Sequence, residues 1–443
     1  MLRLLSVILI ITCLLSSITL ADDKATPSKE YPKVKFGFSE RLRLVTWDNA
    51  ITLSEEADGT NAFTRHRTSV MGQLFVNPDL EVALKLTDEF RYYFVPTSRE
   101  FNLDEIFVDQ LYIKWHNKYY LPGTLTLGRQ NILLGELFTF MDGSPLDGSR
   151  CIYFNAARYD WNINKNWLLT LAYVYQDTTD DYLPIINERH QKLIEQPEEG
   201  IVAYFSGQFP GDNGKSVYDA YFIRKNIKRT VEGTSASNIN TIGSRGEIKF
   251  DENWLLAGEA AYQFGKLKEP DRDKDRRAFG GYFHVDYSIE LDENFTQTAV
   301  LGGIYLSGDD GHSSNYKNWD PLFARWPKWS ESYIYTQINE GGVADWTNLA
   351  SIYGRVIYKI GSKFNFNLDY YYLRAIEALG SSSSTTFFSD GLNRGTLIIG
   401  KFNYRIDEHM TGHFLWEWFD PGDFYFDEAD NYSWVRAELM YSI

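Results

Sequence analysis

Arginines at alternating positions of strand-like segments are the residues of this sequence best suited to bind a ligand. In residues 33–47, Leu42 and Leu44 alternate with Arg41 and Arg43. Side chains two residues apart lie on the same face of a β-strand, so these arginines would share one face. A guanidinium holds a carboxylate through two parallel hydrogen bonds and keeps its charge at physiological pH. The candidate anion-binding residues of this kind are Arg41, Arg43, Arg65, Arg67, Arg91, Arg129, Arg158 and Arg245.

Salt bridges inside the protein are the alternative interpretation of these arginines. Arg43 or Arg65 could pair with Glu89, Glu247 or Glu259, which occur on similar segments. Arginines paired in this way would fill the interior without binding a solute. The sequence leaves both interpretations open.

Histidines offer little support for a metal site or for catalysis. The seven histidines are scattered, and His409 and His413 have the spacing of a zinc pair without the glutamate of an HExxH motif. We therefore expect no metal, no cofactor and no enzymatic activity. A hydrolase built on a membrane barrel stays open as a less favoured alternative, because two or three catalytic residues on separate strands leave no sequence motif.

The composition combines abundant aromatic residues with low overall hydrophobicity. Aromatic residues make up 16% of the chain, mean hydropathy is -0.36 and the formal net charge is -16. This combination suits strands that present one face to lipid and the other to water, with aromatic girdles at the membrane interfaces. An acidic chain of this kind gives no reason to expect a nucleic-acid partner.

Period-two alternation recurs along the chain and predicts about 18 strands. Short turns such as Asn77-Pro78 and Gly361-Ser362 alternate with long loops such as 135–149 and 308–345. An antiparallel transmembrane β-barrel with short periplasmic turns and long extracellular loops has this pattern. A β-propeller or a solenoid is the alternative all-β fold, but no repeat of suitable length is visible. Glu40 falls on the apolar face of the first strand, which predicts either a bulge there or a different register for this strand.

The first residues have the features of an export signal. Arg3 precedes an apolar run from Leu4 to Leu15, and Thr19-Leu20-Ala21 is a suitable cleavage site. We predict a signal peptide at 1–21, a short periplasmic segment at 22–32 and a barrel at 33–443. A membrane anchor is the alternative, although the apolar run is short for a helical span.

The predicted loop 308–345 is unusually long and aromatic. We expect it to fold over the mouth of the pore, where it would restrict passage, although a rigid surface cap is the alternative. The candidate residues of this pore-mouth loop are Trp319, Phe323, Trp326 and Trp329.

Several short motifs occur in the order found in one family of outer-membrane proteins. They include Gly128-Arg129-Gln130, Ala157-Arg158-Tyr159-Asp160-Trp161, Ile242-Gly243-Ser244-Arg245 and Asp320-Pro321-Leu322-Phe323. In this succession the chain resembles the alginate-export family of porins. The resemblance implies an 18-stranded barrel whose arginines, here Arg129, Arg158 and Arg245, line a pore for anionic polysaccharide. The tight turn at 405–410 departs from the longer turn that alginate exporters have before their last strand pair.

The expected function is passive passage of anionic solutes through the outer membrane of a Gram-negative bacterium. The expected cargo is a carboxylated, alginate-like polysaccharide, or small anions. The expected partners are outer-membrane lipid, lipopolysaccharide and a periplasmic export machinery. A general porin, or a porin selective for another substrate, is the alternative within the same class.

Overall fold

The structure is a computed structural model that describes most of the chain. The described residues are 31–57, 59–97, 102–118, 122–141, 153–186, 193–194, 196–211, 214–229, 235–269, 272–324, 328–330, 346–380 and 387–443. The predicted signal peptide lies outside these ranges.

Eighteen long antiparallel strands form one closed sheet. The first nine are Lys33–Asp48 (β1), Thr60–Asn77 (β2), Leu80–Val95 (β3), Asn102–Asn117 (β4), Gly123–Gln130 (β5), Phe154–Asn164 (β6), Trp167–Gln176 (β7), Glu198–Gly211 (β8) and Gly214–Ile227 (β9). The other nine are Ala236–Lys249 (β10), Trp254–Lys268 (β11), Asp273–Asp292 (β12), Phe295–Leu306 (β13), Leu349–Ile360 (β14), Phe364–Arg374 (β15), Asn393–Arg405 (β16), Met410–Pro421 (β17) and Tyr432–Ser442 (β18). Consecutive strands pair, and β1 closes the ring against β18. The predicted fold class is confirmed.

The alternation seen in the sequence divides each strand into an outer and an inner face. On β1, Leu42 and Leu44 are 39% and 50% exposed, whereas Arg43 and Val45 are almost fully buried. Exposed apolar side chains recur on the outer face around the barrel, where lipid would cover them. The inner face carries buried polar and charged residues such as Arg43 together with apolar residues such as Val45.

The two ends of the barrel differ in the length of their connections. At one end the turns are short, and Asp251 and Asp292 accept hydrogen bonds from the backbone N–H groups of Asn253 and Asn294 at 2.8 and 2.7 Å. These are Asx turns, in which a side chain replaces a backbone partner. The long connections lie at the opposite end, as the sequence predicts for an outer-membrane barrel. The described residues include no helix long and apolar enough to cross a membrane.

The expected bulge at Glu40 is absent. The register of β1 against β2 runs without interruption from Lys33 opposite Phe75 to Asp48 opposite Thr60. Glu40 therefore lies on the outer face, with Leu42 and Leu44. The prediction was wrong because it assumed that a carboxylate would be excluded from that face.

Aromatic side chains from two inter-strand connections meet inside the half of the barrel nearest the long loops. The segments Phe140–Met141 and Phe323–Ala324 pair as two short parallel strands. Phe138 stacks on Trp319 with ring centroids 5.2 Å apart. We call the group of Phe138, Phe140, Trp319, Phe323 and Trp329 the loop core.

Candidate functional site

Four arginines form a compact cluster on the inner faces of β1 and β2. Arg41 lies opposite Arg67 in the register, and Arg43 lies opposite Arg65. All four are buried. The odd-numbered positions of both strands point inward, so the pairing of two neighbouring strands places four guanidinium groups side by side. We call these residues the arginine cluster.

Glu89 on β3 is shared by three members of the arginine cluster. Its Oε1 atom lies 3.0 Å from Nε of Arg65, and its Oε2 atom lies 2.5 Å from Nε of Arg67. Arg41 approaches Oε2 only to 3.9 Å. One carboxylate therefore balances the charge of three neighbouring guanidinium groups incompletely.

The fourth member, Arg43, contacts a second carboxylate. Its Nε atom lies 2.5 Å from Oε2 of Glu438 on β18. The other oxygen of Glu438 lies 3.2 Å from Nδ1 of His413, and Arg436 donates to Nε2 of that histidine at 2.9 Å. Glu438 and His413 also line a cavity of about 400 Å³ at the short-turn end, together with Lys359, Lys363 and Arg405. Arg43 thus contacts a residue that also lines this basic cavity.

Arg41 has the longest contact with a carboxylate of the four arginines, at 3.9 Å, against 2.5 to 3.0 Å for the others. Its Nε and Nη2 atoms are buried, and neither has a hydrogen-bond partner among the described residues. A buried charged donor without an acceptor costs about 1–3 kcal/mol or more. A bound carboxylate would supply the missing acceptors.

The remaining candidate arginines occupy the lumen but are engaged by the protein. Each contacts an acceptor on the wall or on a connection, and for Arg129, Arg158 and Arg245 that acceptor is a carboxylate. The contacts are Arg91 to the Tyr93 hydroxyl at 3.3 Å, Arg129 to Asp180 at 2.7 Å, Arg158 to Asp160 at 2.9 Å, and Arg245 to Glu247, Glu136 and Asp219 at 2.7, 2.9 and 3.1 Å. The family motifs containing Arg129, Arg158 and Arg245 therefore mark salt bridges in this chain.

Trp319, Phe323 and Trp329 of the aromatic loop lie inside the barrel instead of covering its mouth. Trp319 and Phe323 are 1% exposed, and Trp329 is also buried. Trp319 packs over Gly280 on β12, and Phe323 packs over Gly200 on β8, where the absence of a side chain makes room for the ring. Trp326 lies outside the described residues. The described residues of the loop form an internal loop core, and residues 331–345 of the predicted pore-mouth loop also lie outside the described residues.

Polar contacts hold this loop to the wall. Asp320 exchanges backbone hydrogen bonds with the Gln263 side chain at 2.7 and 3.0 Å, and its carboxylate lies 3.3 Å from Nζ of Lys225. Burial alone would raise the pKa of Asp320, but the charges of Lys225 and Arg276 hold it below its usual value. The ionised carboxylate is therefore a fixed part of the anchor.

Glu136 joins the two connections that form the loop core. Its carboxylate lies 2.6 Å from Nζ of Lys328, 2.9 Å from Nη2 of Arg245 and 3.8 Å from Nε2 of His284. Lys328 also lies over the ring of Tyr282, 3.6 Å from its centroid. Burial raises the pKa of Glu136, but the contacts with His284, Lys328 and Arg245 outweigh it and hold the pKa far below the usual range.

The contribution of the segment 131–141 was missed by the sequence reasoning. The sequence predicted a loop at 135–149, but β5 already ends at Gln130 and the chain turns into the lumen. The available signal was the apolar content of Leu137, Phe138 and Phe140 in a connection expected to face water. Apolar residues in a loop indicate a buried loop.

His284 contacts two carboxylates of the lumen. The described part of the chain contains no group of three residues that could hold a metal ion. His284 contacts Asp286 at 2.7 Å, but its other partner is Glu136, not a serine hydroxyl.

Fold, outer apolar face and charged lumen together define the class: the chain is an integral β-barrel of the outer membrane.

No family model matches the sequence, and no curated protein matches it. Solved structures of outer-membrane proteins from Pseudomonas aeruginosa do match in fold. OccK2 (OpdF), solved in complex with glucuronate, gives a TM-score of 0.55 at 10% identity and covers 93% of this chain and 98% of that chain. OccK9 (OpdG) gives 0.56 at 10% identity with the same coverage. OpdK, solved with vanillate, gives 0.54 at 9% identity and covers 92% of this chain and 98% of that one.

These comparisons correct the family resemblance. The similar barrels are OccK and Opd porins, and the alginate-export family is not matched. Assignment to that family was therefore wrong. The shared motifs were short, and a succession of short motifs is not enough to assign a barrel to one family.

Proposed function

We propose that this protein is an outer-membrane porin that admits small carboxylated solutes. The observation that carries the proposal is Arg41, whose Nε and Nη2 atoms are buried without an acceptor among the described residues. Its neighbours Arg43, Arg65 and Arg67 add positive charge at the same site. A planar carboxylate can accept two parallel hydrogen bonds from one guanidinium, which gives both attraction and orientation.

The loop core occupies part of the lumen and so limits the size of the solute that can pass. Trp319, Phe323 and Trp329 are packed against wall residues inside the barrel, in the half that a solute from outside enters first. A long polymer needs a continuous wide lumen, whereas a small solute needs only a passage beside this core. The alternative of a porin selective for another substrate is therefore better supported than polysaccharide export, and a periplasmic export machinery has no support.

Similar barrels bind ligands of the proposed chemistry. OccK2 was solved with glucuronate and OpdK with vanillate, and both of these ligands are carboxylates. At 9–10% identity this likeness establishes the fold alone, so the ligand chemistry of those proteins only supports the proposal. Lipid and lipopolysaccharide are the remaining proposed partners, because the exposed apolar outer face requires a membrane.

Single-channel recording tests the proposal. In planar bilayers with a salt gradient, the wild-type channel is expected to be anion-selective and to be blocked by added glucuronate. Arg41→Gln should weaken the block about 10- to 100-fold, because hydrogen bonds to a charged group contribute about 1.5–3 kcal/mol.

Arg158→Gln is the matched control for loss of one lumen charge. Arg158 already contacts Asp160 at 2.9 Å, so its loss should leave the block by glucuronate unchanged. Cation selectivity in the wild type, or an equal response of the two variants, would contradict a carboxylate site at Arg41.

A further inference from the structure

Polar side chains lie in a row on the outer face of β1, β2 and β3. Glu40 is opposite Thr68 in the register, and Thr68 is opposite Asp88. Neighbours on the same face are apolar: Leu42 is 39% exposed and Val70 is 51% exposed. We call Glu40, Thr68 and Asp88 the outer polar row. It lies in the middle of the apolar face, between the two ends of the barrel.

The row is linked to further polar groups on β2. Thr68 donates a hydrogen bond from Oγ1 to Oε2 of Glu40 at 2.5 Å. His66, one position along the same face, has its Nδ1 atom 4.0 Å from Oε1 of Glu40 and its Nε2 atom 3.3 Å from Oγ1 of Thr64. The side chains of Glu40 and His66 remain 36% and 29% exposed. These groups are therefore accessible from outside the barrel.

Other strands have the apolar outer face that lipid requires. On β12, Phe279, Phe283 and Leu291 are each more than half exposed. Ionisable residues facing hydrocarbon are costly and usually indicate a function. Threonine and histidine are the residues that form hydrogen bonds between transmembrane segments. The outer polar row and His66 thus have the composition of a protein contact, within a face whose other residues are apolar.

We propose that the outer face of β1–β3 is the interface through which this chain associates with a second copy of itself. The face carries carboxylates, an imidazole and hydroxyls, so it contains acceptors and donors that can complement one another between two copies. Copies inserted in one bilayer with the same orientation place the outer polar row at the same depth. Association would remove Glu40 and Asp88 from lipid, and symmetric homo-oligomers are the commonest assemblies.

Cysteine crosslinking in the membrane tests the proposed face. Thr68→Cys would be made in a chain whose natural Cys13 and Cys151 are replaced by serine, and Leu301→Cys on β13 is the lipid-facing control, since Leu301 is 60% exposed. A short thiol crosslinker should give a product of twice the chain mass for Thr68→Cys and not for Leu301→Cys. Equal crosslinking of both variants, no crosslinking, or a product with a different protein would overturn the proposal.

A second measurement separates association from folding and from solute passage. Wild-type protein in lipid nanodiscs should contain two or more copies by native mass spectrometry, and the variant with Glu40→Leu and Asp88→Leu should contain one. Conductance per barrel should stay unchanged, because neither residue lies in the lumen. A monomeric wild type, or an oligomer that survives the double substitution, would contradict the interface whatever the outcome for carboxylate passage.

Discussion

The Nη2 atom of Arg41 lies 3.9 Å from Oε2 of Glu89, beyond hydrogen-bonding distance. That oxygen is already held by Nε of Arg67 at 2.5 Å. Glu89 therefore stabilises the arginine cluster without accepting a hydrogen bond from Arg41. This leaves one guanidinium of the lumen available to an anionic solute while the barrel remains folded.

Removal of the Glu89 charge should destabilise the barrel. Glu89→Gln leaves Arg65 and Arg67 buried without their carboxylate, which typically costs about 3–5 kcal/mol. The free energy of unfolding from lipid vesicles in urea measures this cost. Glu247→Gln is the control, because Arg245 retains Asp219 and Glu136, and its effect should stay below about 1 kcal/mol. Equal losses in the two variants would show that the cluster does not depend on Glu89.

Displacement of the loop core should widen the channel. A side chain at Gly280 would overlap the ring of Trp319, so Gly280→Val forces the loop away from the wall. We expect a larger and noisier single-channel conductance in planar bilayers. Gly354→Val is the control, because a Cβ there meets no atom within 4 Å. An unchanged conductance in Gly280→Val would mean that the loop core does not limit passage.

The contacts of Glu136 should persist in mild acid. Its folded-state pKa is far below that of an unfolded glutamate, about 4.3, so its contribution is complete above that value and is lost only as the pH falls towards the folded pKa. Conductance should therefore not change between pH 7 and pH 5 through release of this group. Glu136→Gln should increase current fluctuations at both pH values, because Lys328 and Arg245 lose their shared carboxylate. A wild-type channel that becomes as noisy as the variant at pH 5 would contradict this assignment.

The sequence predicted the barrel well because each strand repeats a simple physical requirement. Alternation at Arg41, Leu42, Arg43 and Leu44 gives both the strand and its two faces. Turn residues such as Asp251 then locate the short connections. A local pattern repeated eighteen times determines a closed sheet with little long-range information.

The site was less predictable because it depends on contacts between residues far apart in the chain. Alternation placed Arg43 in the lumen, but its contact with Glu438 depends on closure of the barrel. Glu136 meets Lys328 only because two connections enter the lumen together. The bulge predicted at Glu40 was wrong for a related reason. The residues that contact Glu40, Thr68 and His66, lie on the neighbouring strand. The composition of a single segment does not reveal contacts with residues that are distant in the chain.

Uptake into vesicles tests the central claim most directly. Liposomes containing the purified barrel would be exposed to glucuronate or to glucose, which are similar in size and differ in the carboxylate. The account predicts that glucuronate enters faster than glucose and that the difference disappears in Arg41→Gln. Equal rates for the two solutes in the wild type, or faster entry of glucose, would contradict a channel selective for small carboxylates.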